Sequence, residues 1–149
     1  MELRNFRLEE PSHAIALEGL GRYWDLHAYA DLVEVRYFTV ENTVEFHWRV
    51  PEIDNPWGDE KNRAKGCVLR FTEVRFLKIL QAEEKNTNAD DCVASISQVT
   101  TAEESATSDP AEFRMKREWK ANEDFGLLIE LQSGRTIEIH TQSAELIPA

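Results

Sequence analysis

Four histidines and a surplus of carboxylates are the chemistry-bearing side chains of this chain. The densest local group is Trp24-Asp25-Leu26-His27, in which Asp25 is placed to orient or charge an imidazole acting as a base. A base needs a nucleophile or a substrate pocket beside it, and no serine or cysteine motif announces one. The competing reading is that Trp24 caps the core while Asp25 and His27 face water. His47 and His140 sit two residues after Glu45 and Glu138, on the polar faces of two expected strands. If those strands share one sheet, the two histidines and Glu138 are candidates to hold a metal, although histidine and carboxylate on separate strands is weak spacing. His13 has nothing comparable beside it. The chain contains no glycine-rich phosphate loop, nucleophile elbow, Cys-x-x-Cys or His-Glu-x-x-His. No residue is therefore assigned as catalytic, and no metal or cofactor is expected.

These side chains must be positioned by strands. Leu127, Ile129 and Leu131 share one face of a segment, and Ile137 and Ile139 one face of the next. A two-residue Ser133-Gly134 loop would mix those faces. A three-residue loop, Gln132-Ser133-Gly134 with Gly134 left-handed, pairs Ile129 with Ile137 and Leu127 with Ile139. A second hairpin spans Leu32 to Val50, where Val33, Val35, Tyr37 and Thr39 alternate with Glu34 and Arg36. Pairing Val40 with Thr43 sets Tyr37 opposite Phe46, Val35 opposite Trp48 and Glu34 opposite Arg49. Leu3 to Leu8, Cys67 to Leu80, Cys92 to Thr100 and Phe113 to Trp119 also read as β-structure, and Ala144 to Ile147 as an edge segment. Tyr23 to Asp31 reads as a loop, as does the polar stretch Pro51–Gly66. Hairpin spacing predicts one mainly β domain over residues 1–149: an antiparallel β-sandwich or half-open barrel with few short helices.

The bulk properties narrow the function classes. At 149 residues and 42% hydrophobic, with four tryptophans, the chain is long and apolar enough to bury a core. Met1 to Asn5 lacks the basic start of a signal peptide, no apolar run is long enough for a membrane span, and two lone cysteines suit a reducing cytoplasm. A net charge of −11 disfavours nucleic acid. Glu83 to Glu112 holds eight acidic residues against Lys85 alone. Asp90, Asp91, Glu103 and Glu104 there are candidates for docking a basic partner, weighed against a merely solvated loop. Trp57, in Asn55-Pro56-Trp57-Gly58, has no alternating apolar neighbours and is a candidate interface anchor.

The order of Trp24-Asp25-Leu26-His27, the hairpin carrying Phe46, the run Leu69-Arg70-Phe71-Thr72-Glu73-Val74-Arg75-Phe76-Leu77, Ser95-Ile96-Ser97 and Ile137-Glu138-Ile139 resembles small bacterial β-rich domain families of unknown function. Some of these are proposed immunity proteins of polymorphic toxin systems. The resemblance covers residues 24–141 and implies a cytoplasmic binding protein; it brings no catalytic residues. Two readings follow. One is an interaction domain for a basic protein partner or for self-association, with Trp57, Trp24, Asp25, His27 and the acidic residues as contacts. The other is a small-ligand-binding barrel or hydrolase-like enzyme using His27 or the His47/His140 pair.

Overall fold

Ten β-strands account for all the regular structure in residues 1–50, 65–81, 91–99 and 124–149, which the computed structural model describes. They are β1 (Glu2–Arg4), β2 (Phe6–Leu8), β3 (Ala16–Gly19), β4 (Arg22–Asp25), β5 (Asp31–Phe38), β6 (Thr43–Arg49), β7 (Gly66–Leu80), β8 (Val93–Val99), β9 (Gly126–Leu131) and β10 (Thr136–Pro148). The expected antiparallel, hairpin-built architecture holds, without a helix among the described residues. One sheet runs β5-β6-β7-β10-β9-β8, with β1 added parallel to β10, and a smaller sheet runs β2-β3-β4. Phe6, Leu17 and Trp24 of the small sheet share one hydrophobic cluster with Phe46, Leu69, Ile129, Ile137 and Ile139 of the large one. Each such side chain removed from water contributes roughly 1.5–3 kcal/mol.

The β9–β10 hairpin forms in the expected register, Ile137 opposite Ile129 and Ile139 opposite Leu127. Gly134 has φ +83°, and its N–H donates to the Leu131 carbonyl across the three-residue loop. Beyond the hairpin, Ala144–Ile147 is no edge segment. It is the continuation of β10, the central strand, which pairs with β7 along most of its length. Its apolar residues Ala144 and Leu146 are buried because strands lie on both sides of them.

The β5–β6 hairpin forms, but its register is two residues from the expected one. Tyr37 lies opposite Val44 and Val35 opposite Phe46, so Thr39 to Asn42 make a four-residue loop. Asn42 explains the longer loop. It adopts φ +49°, its side-chain N–H donates to the Val74 carbonyl, and its own carbonyl accepts from Val74 N–H. The turn is thereby stitched to β7 beside its bulge opposite His140–Thr141, where Glu73 has φ +54°. A second irregularity at Val33 shifts the pairing so that Leu32 faces Trp48 and Asp31 faces Arg49. Glu34 consequently sits opposite His47 rather than Arg49, and its ion pair is with Arg36 on its own strand.

Two further differences lie near the N-terminus. Leu3 to Leu8 is two strands, because Asn5 turns at φ +59° and passes the chain from the large sheet to the small one. The Asn5 amide replaces the lost strand pairing by donating to the Leu146 carbonyl and accepting from its N–H. Tyr23 to Asp25, expected in a loop, belongs to β4, which follows a tight Leu20-Gly21 turn with both residues at positive φ.

Candidate functional site

Asp25 and His27 do not form a dyad. Asp25 Oδ1 accepts from the backbone N–H groups of His27 at 3.0 Å and Ala28 at 2.8 Å, which makes it the cap of the turn after β4. The His27 ring turns the other way, with Nδ1 2.7 Å from the Val93 carbonyl, so Nδ1 carries the proton. Trp24 is 0% exposed and its indole N–H donates to the Gly19 carbonyl at 3.0 Å. It packs the core and presents no surface to a partner. Tight turns place side chains by local backbone geometry, and Asp25 satisfies backbone donors of the turn after β4.

The other two histidines do pair with the carboxylates two residues before them. His140 Nε2 is 2.8 Å from Glu138 Oε1, and both side chains are buried. The ring lies over Gly126, where a Cβ would come within 2.6 Å of it, and meets Phe76 edge-to-face at 5.6 Å. Gly126 is therefore part of this site: only a residue without a side chain admits the imidazole. His47 Nε2 is 2.9 Å from Glu45 Oε2, while Arg70 Nε–H donates to Glu45 Oε1 at 2.8 Å. Burial acts to raise the Glu45 pKa, but hydrogen bonds from Arg70 and His47 outweigh it and hold the carboxyl below its ordinary range. The polar faces of these strands are thus largely covered, not solvated.

The two dyads share a sheet, as the metal reading requires, yet they cannot share an ion. His47 is paired with Val68 and His140 with Phe76 of the same strand β7. Eight residues of strand separate them, roughly 26 Å. Among the described residues no three His, Cys, Asp or Glu side chains come together at metal-binding spacing. Cys67 and Cys92 are both free, and burial pushes the Cys67 thiol up to about 12, far from a reactive thiolate.

Two of the surface clefts are lined by described residues. One of about 470 Å³ is lined by Asn42, Glu73, Arg75, Asp124 and Gln142, with Arg75 already paired to Asp124. The other, about 280 Å³, is lined by His13, Ser95, Glu130 and Arg135 among others, and the Ser95 hydroxyl donates to Glu130. Ligand sites are usually larger than the second and more apolar than the first. The second cleft gathers residues from three distant segments, so spacing alone could not reveal it.

Of the acidic candidates, Asp91 is engaged internally: its carboxylate meets Arg135 at 3.0 Å and its carbonyl accepts from Leu32 N–H. Asp90, Glu103, Glu104 and Trp57 lie outside the described residues.

A further surface feature among the described residues is apolar. Val33, Tyr37, Phe38 and Val40 are exposed on β5 and its loop, Val40 at 92% and Tyr37 at 55%. β5 ends the sheet order among the described residues, so its outer backbone edge has no strand beside it there. The alternation of Val33, Val35 and Tyr37 read as an inward face, and that hid this patch. A signal was present nonetheless: Phe38 breaks the alternation, and Val40 stands in the turn.

Among the described residues the fold is all-β in two sheets, with β5 and its exposed apolar residues at one end of the larger. No family model matches the chain, and no match was found among curated proteins or solved structures. Among the described residues no helix is long and apolar enough to cross a membrane.

Proposed function

We propose that this protein works as a protein-interaction domain that docks through the β5–β6 hairpin. The observation carrying this reading is the exposure of Val33, Tyr37, Phe38 and Val40 on β5 and its loop, at the end of the sheet among the described residues. Exposed apolar residues are ordinary when scattered, but several on one strand and its loop, at the end of a sheet among the described residues, fit strand addition by a partner. The net charge of −11 favours a basic partner, mainly through a faster encounter. A cytoplasmic, immunity-like inhibitor is the specific form this takes if the family resemblance holds, since such a protein acts by occupying a surface.

A photoreactive amino acid placed at Tyr37 tests the reading, with Tyr23 of the small sheet, also exposed, as control. Crosslinked adducts in cells from position 37 and none from position 23 are expected. No adduct at 37, or equal yields from both positions, would remove the hairpin as the docking element. With a captured partner purified, Val40→Asp is expected to weaken its binding about 10-fold or more.

A further inference from the structure

We propose that the edge of β5 also accepts a second copy of this chain, antiparallel, about a two-fold axis at Val35. This rests on the docking role of the hairpin and names one occupant for it. The argument is charge complementarity within a short strand. Glu34 and Arg36 lie on one face of β5, exposed and paired to each other at 2.7 Å. A two-fold antiparallel pairing sets residues opposite one another symmetrically about its centre. Centred on Val35, it puts Glu34 opposite the partner's Arg36 and Arg36 opposite the partner's Glu34. Each cation then has an anion beside it on its own strand and another across the junction. Centred on Glu34 or on Arg36, the same pairing would set like charges directly opposite, which is destabilising.

The apolar face agrees with this register. Val35 meets its own copy, next to Phe46 on β6, and Tyr37 comes opposite the partner's Val33. Both Tyr37 and Val33 are more than half exposed in the single chain. No proline or lysine, the usual guards of an exposed edge, occurs between Asp31 and Phe38. The irregularity at Val33 falls at both ends of the two-fold pairing, so the contact is short and the dimer weak, in the class of small transient interfaces.

Sedimentation equilibrium up to about 1 mM protein is expected to show a monomer–dimer equilibrium. Glu34→Arg and Arg36→Glu, each on the surface and each verified by an unchanged melting curve, should both weaken it about 10-fold or more. The decisive arm mixes the two variants. The first variant carries only cations at positions 34 and 36, and the second only anions. Paired in the proposed register they set opposite charges across the junction at both positions, so an equimolar mixture should form a heterodimer at least as tight as the native dimer. A native chain that stays monomeric throughout overturns self-pairing, as does a dimer indifferent to both reversals or a mixture without rescue. None of those results touches crosslinking from Tyr37 to a foreign protein, which stands or falls on its own.

Discussion

Hairpins β5–β6 and β9–β10 carry the same alternation of apolar and polar residues, but one lies at the edge of the large sheet and the other near its middle. In β9–β10 the apolar face, Leu127, Ile129, Ile137 and Ile139, is wholly buried, and even the polar face is covered at Glu138 and His140. In β5–β6 the inner strand β6 buries Val44, Phe46 and Trp48, while β5 leaves Val33 and Tyr37 in water. Alternation marks a face that is able to be buried. Whether anything covers it depends on the neighbours the sheet supplies.

The contrast is sharpest in the core. Ile129→Ala and Ile137→Ala should each cost about 2–4 kcal/mol in denaturant unfolding, because both side chains are fully buried. Tyr37→Ala on the other hairpin should stay within about 0.5 kcal/mol. Comparable losses from Tyr37 and Ile129 would mean that β5 is covered after all.

Gly126→Ala comes next. The new methyl would strike the His140 ring, and a loss of roughly 1–3 kcal/mol is expected. Adding His140→Ser should recover part of it, a non-additivity that a double-mutant cycle reads directly. Glu138→Ala should cost about 1–3 kcal/mol by leaving His140 without its carboxylate. Glu34→Ala, at the exposed edge, should cost under about 0.5 kcal/mol.

The acid limb of stability compares the same regions through Glu45. Its folded pKa is lowered from the ordinary value of 4.5, so the unfolded chain takes up the proton first as pH falls. The stability it contributes is complete above about that value and is lost as pH drops through the folded pKa. Glu45→Gln should flatten this part of the curve. Glu34, also held low by Arg36 beside it, is on the exposed edge, and Glu34→Gln should leave the curve nearly unchanged. The smallest expected effect is that of Val40→Asp, whose melting temperature should match the native chain's while its crosslinking and partner binding decline.

Local pattern alone determined much of this protein. The three-residue loop at Gln132-Ser133-Gly134 and the Ile129–Ile137 register followed from side-chain parity, because a strand has period two and one slip exposes a whole face. The same parity survived in β5–β6 from Glu34 to Phe38, but a two-residue slip preserves parity, so apolar pattern could not distinguish the two registers. Asn42 decided it, through hydrogen bonds to Val74, thirty-two residues away. The candidate chemistry was legible only where partners are close in sequence: the Glu45–His47 and Glu138–His140 pairs share a strand face two residues apart. The Asp25–His27 pairing failed at the same spacing because a turn, not a strand, follows Asp25 and its carboxylate caps that turn. Arg70 beside Glu45, Gly126 under His140, the Ser95–Glu130 contact and the open edge of β5 depend on strand order. Strand order arises from which long-range pairings bury the most apolar surface together, and no window of sequence contains that comparison.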